Sequence, residues 1–247
     1  MLHNFVEEGA ELSAIVIGSF AAVSLFSQRH VRWARGFRHG WFLILLVIAS
    51  IAVLTQVLEE VLGQESTAID RAILEWIHGR VPAGALGFFN ALTWTGSSRV
   101  VVPVASLLVV VALWRKQRFE ALQVALTTAL AGLVIYFAKT AVARPRPDLW
   151  STQWFWGSSF PSGHTLISAA LATSLCLWIA RQWPRGRIAA LVAGTTWVAL
   201  VGLSRLVLGV HWPTDVVAAA CAGLLVAAGV NGALALVAVR TRKPRSV

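Results

Sequence analysis

The chain has 247 residues, of which 57% are hydrophobic and 13% are charged, and its mean hydropathy is +0.71. This balance is too apolar for an ordinary soluble domain and is typical of a protein that lies in a lipid bilayer. A net charge of +10 would suit nucleic-acid binding, but the basic residues fall in short runs between apolar segments instead of forming one basic face. No nucleic-acid partner is therefore expected.

Seven apolar segments follow one another, each close to the roughly 20 residues that cross a bilayer. No repeat, low-complexity tract or flexible linker divides the chain, so residues 1–247 are expected to form a single membrane-embedded domain. The predicted fold class is all-α, a polytopic bundle of membrane helices. The third segment is short, and residues 93–98 are candidates to extend it. The predicted segments cover residues 9–27, 41–62, 100–114, 120–141, 163–180, 188–208 and 214–239.

The basic residues predict the orientation of the chain. Fourteen of the 21 lysines and arginines lie in connectors that a seven-crossing chain places on one side, and such connectors stay in the cytoplasm. The N-terminus is then outside and the C-terminus is cytoplasmic. Glu7 and Glu8 precede the first segment in place of a basic stretch, which argues against a cleaved signal peptide.

The connector of residues 63–98 contains a helical pattern on the outer side. Ile69, Ile73 and Trp76 recur at helical spacing, whereas charged residues such as Asp70 fall elsewhere. This pattern is typical of an amphipathic helix that lies in the membrane interface. Such a helix could form a lid over a site, or it could be a simple anchor in the interface; the pattern agrees with both.

Three polar clusters lie at the outer ends of the segments, and the first contains Lys139 and Arg146. The guanidinium of Arg146 suits two phosphate oxygens, and the ammonium of Lys139 supplies a point charge. Pro145 and Pro147 stiffen the backbone that presents Arg146. Taken alone, a lysine that reaches the interface beside a basic loop explains this cluster equally well.

The second cluster is Ser162, Gly163 and His164, at the start of the fifth segment. Ser162 is predicted to cap the helix, which leaves the backbone amides of Gly163 and His164 at its positive end, where anions bind. A well-capped helix beside an uninvolved histidine would give the same pattern.

The third cluster contains Arg205, His211 and Asp215. Asp215 follows His211 by four residues, so its carboxylate is able to hold one imidazole nitrogen and leave the other with a lone pair. An aspartate that stabilises the helix N-terminus beside an unrelated histidine is the alternative.

Together the clusters resemble the type 2 phosphatidic acid phosphatase superfamily. The helices around them fit a family core of six crossings, so residues 9–27 look like one extra N-terminal transmembrane helix. The resemblance implies a multi-pass protein of a bacterial cytoplasmic (inner) membrane. Because the three clusters lie opposite the basic connectors, the site is expected to face the periplasm or exterior. The matching motifs are Lys139, six residues and Arg146-Pro147; Pro161-Ser162-Gly163-His164; and Ser204-Arg205, five residues, His211, three residues and Asp215.

The resemblance also implies roles for these residues and a reaction. His211 would attack phosphorus to form a phosphohistidine, Asp215 would orient it, and His164 would protonate the leaving group. The phosphoryl oxygens would be bound by Lys139, Arg146, Ser162, Gly163 and Arg205. No metal and no other cofactor is expected.

A lipid phosphate is the expected substrate, because the site lies level with the outer headgroups. Trp150, Trp154, Phe155 and Trp156 add aromatic rings that prefer the membrane interface. For an outward-facing bacterial protein, the resemblance implies undecaprenyl pyrophosphate as the first candidate, followed by phosphatidate and phosphatidylglycerol phosphate. A lipid phosphotransferase that uses the same phosphohistidine is an alternative. A vanadate-dependent oxidase is a second alternative, which the membrane segments disfavour. A transporter is a third alternative, which the position of the charges at helix ends disfavours.

Overall fold

The structure, a computed structural model, consists of helices joined by short connections and confirms the all-α class. It describes residues 2–29, 31–63, 66–150 and 157–241. Two short 3₁₀ turns, Ala83–Ala85 and Pro184–Gly186, join neighbouring helices. The α-helices of the described residues are α1 (Leu2–Arg29), α2 (Val31–Gly63), α3 (Thr67–His78), α4 (Leu86–Thr95), α5 (Ser98–Trp114), α6 (Arg118–Val142), α7 (Gly163–Gln182), α8 (Arg187–Val207) and α9 (Pro213–Thr241).

Seven helical stretches within the described ranges are long and apolar enough to cross a membrane. Six of them agree with the predicted segments to within a few residues at each end, and the polytopic helix bundle is confirmed. Helix α1 packs along α2, and α2 packs along α9. The assignment of α1 as an addition to a six-helix core stays a prediction.

The third crossing is longer than predicted, because it begins at Leu86 and not at residue 100. It is built from α4 and α5, which are separated by Gly96 and Ser97. The prediction was wrong because these small and polar residues interrupt the apolar run. Residues 86–98 are therefore part of a helical stretch that is long and apolar enough to cross a membrane.

Helix α7 forms the centre of the bundle, since its residues from Thr165 to Ala172 are all buried. It packs against α6, α8 and α9. Gly223 of α9 lies so close to α7 that a Cβ atom there would overlap the Leu166 carbonyl oxygen. Small residues at such crossings let membrane helices approach closely and gain van der Waals contacts. Large apolar side chains such as Leu107 and Val110 stay exposed at the periphery, where lipid would cover them.

The two ends of the bundle differ in chemistry. One end gathers the C-terminal ends of α6 and α8 and the N-terminal ends of α7 and α9, which carry the three motifs. The opposite end carries the basic connectors. There the guanidinium of Arg181 donates two hydrogen bonds to the Glu120 carboxylate, at 2.9 and 2.5 Å.

Helix α3 lies against α8 and α9 at the end that carries the motifs. Ile73 and Trp76 are exposed on its outer face, whereas Leu74 and Ile77 are buried on its inner face. Asp70 is also buried, with 1% of its surface exposed, so its carboxylate points into the protein. The helix is amphipathic as predicted, but one of its acidic residues belongs to the interior.

Candidate active site

Three hydrogen bonds join the segments that carry the motifs. They run from the Ser162 amide to the Asp215 carbonyl (3.2 Å), from the Trp212 indole to the Pro145 carbonyl (2.9 Å) and from the Arg146 guanidinium to the Val210 carbonyl (2.8 Å). The loop after α6, the start of α7 and the turn between α8 and α9 therefore form one connected unit.

His211 and Asp215 form a buried pair within this unit. The His211 side chain is 3% exposed and that of Asp215 is 0% exposed. Nδ1 of His211 lies 3.5 Å from Oδ2 of Asp215, and this oxygen accepts a hydrogen bond from the Trp212 amide at 2.9 Å. The carboxylate thus lies on the Nδ1 side of the imidazole, which leaves Nε2 for chemistry.

Burial sets the charge of His211. It lowers the pKa of the imidazole to about 4, although the Asp215 carboxylate opposes the shift. The guanidinium groups of Arg205 and Arg146 also lower this pKa. The imidazole is therefore neutral near pH 7 and carries the lone pair that a nucleophile or a base requires.

Three cations lie around this pair. Arg205 is 1% exposed and donates a hydrogen bond to the Thr93 hydroxyl at 2.7 Å. The ammonium of Lys139 donates to the Ser158 carbonyl oxygen, which is also 3.5 Å from Nη2 of Arg146. Because like charges held this close repel each other, an anion bound among them would be stabilised.

The start of α7 faces the same cations. Gly163 packs against Lys139, since a Cβ atom on Gly163 would lie 3.9 Å from Cε of the lysine. The first amides of a helix have no partner within the helix, and they lie at its positive end. His164 is partly exposed and interacts electrostatically with Lys139, Arg146, Arg205 and His211.

Ser162 differs from its predicted role in one respect. It occupies the N-cap position of α7 with an extended backbone, as predicted, but its hydroxyl makes no side-chain capping bond. That hydroxyl instead lies 3.0 Å from the hydroxyl of Thr165, one turn further along α7. The predicted capping bond is therefore wrong, although the helix still begins at Gly163.

The structure brings all eight predicted site residues to the same end of the bundle. Their catalytic and binding roles stay predictions. Within the described part of the chain, no group of three or more histidine, cysteine, aspartate or glutamate side chains is placed to hold a metal ion. The eight residues are Lys139, Arg146, Ser162, Gly163, His164, Arg205, His211 and Asp215.

Sequence reasoning missed a second set of polar residues behind the pair. Arg144 donates hydrogen bonds to the carboxylates of both Asp215 and Asp70, each at 2.7 Å. Thr93 holds the guanidinium of Arg205. In the sequence, Arg144 is only a second arginine close to Arg146. Nothing in the spacing of Asp70 or Thr93 indicated a contact with a residue more than 70 positions away.

Trp150 connects α3 to the loop that follows α6. Its ring stacks on that of His78, with 4.1 Å between the ring centroids. It also covers Gly209, whose φ of +62° and missing side chain leave room for the indole. The other aromatic residues predicted for this loop, Trp154, Phe155 and Trp156, lie outside the described residues.

Seven helices that are apolar enough to cross a membrane, and a buried histidine–aspartate pair among three cations at one end of them, are typical of an integral membrane protein with a polar site at the membrane interface. Sequence comparison finds a family model that matches the region of the site. The model of the PAP2 superfamily matches residues 120–238, which include all three motifs. The part of the chain that carries the motifs therefore matches the superfamily that these motifs resemble.

Individual relatives are similar over different lengths. Phosphatidylglycerophosphatase B of Escherichia coli is 43% identical over 63 residues, 26% of this chain and 24% of that protein, so the match spans about a quarter of its length. Undecaprenyl-diphosphatase of Sulfolobus acidocaldarius is 26% identical over 185 residues, 72% of this chain and 82% of that protein. The crystal structure of a transmembrane PAP2-type phosphatidylglycerolphosphate phosphatase from Bacillus subtilis superposes with a TM-score of 0.69 at 21% identity, covering 79% of this chain and 98% of that one. This last likeness shows the fold.

Proposed function

We propose that this protein is a lipid phosphatase that hydrolyses a phosphate monoester or a pyrophosphate through a phosphohistidine at His211. The observation that carries the proposal is the neutral, buried imidazole of His211 beside Asp215 and among three cations. An imidazole held in this way is a nucleophile, and cations bind the anion that it attacks. The match of residues 120–238 to the PAP2 superfamily, and the similarity to relatives that are named phosphatases, support the same class of reaction.

The proposed reaction has two steps. In the first, Nε2 of His211 attacks phosphorus, an N–P bond forms, and the P–O bond to the leaving group breaks. His164 donates a proton to the departing oxygen, so the alcohol or phosphate leaves without an additional negative charge. In the second, water attacks the phosphohistidine, His164 accepts a proton from that water, and the N–P bond breaks to release inorganic phosphate.

The remaining site residues bind the phosphoryl group. Lys139, Arg146 and Arg205 offset the charge on its oxygens, with further hydrogen bonds from the Ser162 hydroxyl and the Gly163 amide. Burial lowers the pKa of Arg146, although the Asp215 carboxylate opposes this shift. The folded site therefore disfavours the guanidinium charge, and a bound phosphate would offset that effect. None of these steps needs a metal ion.

The position of the site favours a lipid substrate. The site lies at the ends of membrane-crossing helices, and α3 exposes apolar Ile73 and Trp76 at the same end. A lipid is able to place its phosphate there while its chains stay in the bilayer. Undecaprenyl pyrophosphate is the first candidate, because the relative that matches over 82% of its length is named undecaprenyl-diphosphatase. Phosphatidate and phosphatidylglycerol phosphate are the next candidates.

A substrate comparison with purified protein in detergent tests this assignment. We expect undecaprenyl pyrophosphate to have a higher kcat/KM than phosphatidate, phosphatidylglycerol phosphate or glucose 6-phosphate. A lipid chain adds binding energy that a water-soluble ester lacks, about 0.8 kcal/mol for each buried CH₂ group. Release of inorganic phosphate from each substrate is the measurement.

Three outcomes would contradict parts of the proposal. A preference for glucose 6-phosphate over every lipid would exclude the lipid assignment, and activity that EDTA abolishes and divalent ions restore would exclude a metal-independent reaction. Transfer of labelled phosphate to a lipid acceptor in place of water would identify a phosphotransferase. His211→Ala protein, purified in parallel, gives the background rate.

We further propose that the site faces the periplasm or exterior of a bacterial cytoplasmic membrane. The basic connectors lie at the opposite end of the bundle, and such connectors stay in the cytoplasm. This orientation would give the enzyme access to lipids of the outer leaflet.

Cysteine labelling in intact cells tests the orientation. In a background that lacks Cys176 and Cys221, an impermeant thiol reagent should label a cysteine placed at Asp148, which is exposed beside the site. A cysteine at Arg115, exposed in the connector between α5 and α6, should react only after the cells are permeabilised. The reverse pattern would place the site in the cytoplasm.

A further inference from the structure

A buried guanidinium joins two carboxylates behind His211. Nη1 of Arg144 donates to Oδ1 of Asp215, and Nη2 donates to Oδ2 of Asp70, each at 2.7 Å. The side chain of Arg144 is 9% exposed, and those of Asp70 and Asp215 are 1% and 0% exposed. Since both contacts are short and shielded from water, removal of one partner would leave an uncompensated buried charge.

Thr214 and Ser66 complete this network. The Thr214 hydroxyl accepts a hydrogen bond from Arg144 at 2.8 Å and donates one to Oδ2 of Asp70 at 2.6 Å. The Thr214 amide donates to Oδ1 of Asp70 at 3.0 Å, and the Ser66 hydroxyl accepts from Arg144 at 3.1 Å. The start of α3 is thereby fastened to the first turn of α9, directly beside Asp215.

The network leaves the two oxygens of Asp215 with separate partners. Oδ2 faces His211 and the Trp212 amide, whereas Oδ1 is held by Arg144. This arrangement fixes the rotation of the carboxylate. The imidazole of His211 becomes positive during attack on phosphorus, and the negative charge of Asp215 stabilises it. An arginine paired with Asp215 alone would offset that negative charge. The carboxylate of Asp70 also pairs with the guanidinium of Arg144 and offsets part of its positive charge. The carboxylate of Asp215 therefore interacts more strongly with the imidazole of His211.

We propose that Arg144 and Asp70 are positioning residues for the reaction. Arg144 orients the Asp215 carboxylate toward Nδ1 of His211, and Asp70 balances the charge of Arg144. The inference rests on the proposed function, because it concerns formation of a phosphohistidine at His211. Since Asp70 belongs to α3, the interfacial helix is part of the catalytic apparatus and not only an anchor.

Kinetics of two variants test the proposal. We expect Asp70→Asn to lower kcat by about 10-fold and Arg144→Gln by about 100-fold, with KM changed less than about twofold, because neither residue touches the substrate. The rate of phosphohistidine formation in a single turnover should fall by the same factors. If Asp70 acts through Arg144, the double variant should be no slower than Arg144→Gln alone.

Glu120→Gln provides a matched control. It weakens another carboxylate–arginine pair at the opposite end of the bundle, in which the side chain of Glu120 is 4% exposed and that of Arg181 is 32% exposed. We expect this variant to melt at a lower temperature than wild type and to keep its kcat. Should Arg144→Gln fail to fold, Thr214→Val removes one hydroxyl from the same network, and its kcat should fall about 5-fold.

The outcomes separate this inference from the proposed function. Wild-type protein that turns over without a label on His211 would overturn the proposed function. A labelled His211 in wild type, combined with an unchanged rate of labelling in Asp70→Asn or in Thr214→Val, would overturn only the inference. The network variants and Glu120→Gln are compared at equal thermal stability. If kcat falls no further in the network variants than in Glu120→Gln, Arg144 and Asp70 have a merely structural role.

Discussion

A His211→Ala variant is expected to turn over its lipid substrate at least about 10⁴-fold more slowly than wild type. The change removes the nucleophile and leaves Lys139, Arg146 and Arg205 in place, so substrate binding should persist while the N–P bond cannot form. Phosphate release by purified protein in detergent measures the rate. A fluorescent or radiolabelled lipid phosphate measures binding in the same preparation.

Detection of the intermediate makes this prediction specific. Wild-type protein quenched during turnover of a phosphorus-labelled substrate should carry an acid-labile, base-stable label on His211, and His211→Ala should carry none. His78→Phe is a matched control, because His78 lies near the site but stacks on Trp150, which a phenyl ring is also able to do. It should keep both the label and the activity. More than a trace of turnover by His211→Ala would show that another group is the nucleophile.

Replacement of His164 is expected to depend on the leaving group. His164→Asn should slow hydrolysis of an alkyl phosphate about 10²- to 10⁴-fold, because no imidazole then protonates the departing alkoxide. With a nitrophenyl phosphate, whose phenolate leaves without a proton, the first step should be nearly as fast as in wild type. Release of nitrophenol and of inorganic phosphate, followed in parallel, separates the two steps.

The same variant should accumulate the intermediate. His164 is also proposed to activate the water of the second step, so nitrophenol should appear in a burst that matches the enzyme concentration, and labelled phosphohistidine should persist. An equal loss of activity on both leaving groups, without a burst, would contradict the acid–base role. His78→Phe again supplies the matched control.

The membrane fold was largely predictable. A helix that crosses a bilayer must satisfy its backbone hydrogen bonds internally and present about 20 apolar residues, so each crossing is marked by composition alone. Six of the seven crossings follow this rule with little interruption. The third does not, because Gly96 and Ser97 divide it into α4 and α5. Gly96 faces Val201 of α8, where a Cβ atom would lie 2.6 Å from a methyl group, and this contact is invisible to a local hydropathy pattern.

The candidate site was predictable in part. Short spacings such as that from His211 to Asp215 place two side chains on neighbouring turns, and helix ends that alternate across a membrane bring motifs to the same side. The partners of these residues lie far away in the chain. Thr93 holds Arg205 across 112 positions, and Asp70 meets Thr214 across 144.

The sequence by itself determined the class of fold and the number of apolar segments long enough to cross a membrane, because both depend on composition. The eight predicted site residues come from three motifs of short spacing, and their roles stay predictions. Only the tertiary structure decided how Asp215 is held, that α4 extends the third apolar stretch, and that α3 contributes Asp70 to the interior. The physical reason is that a buried guanidinium such as that of Arg144 requires carboxylate partners, and helix packing decides which carboxylates lie within hydrogen-bond distance. Packing of distant helices leaves no signature in local periodicity, so these contacts become visible only when the helices are assembled.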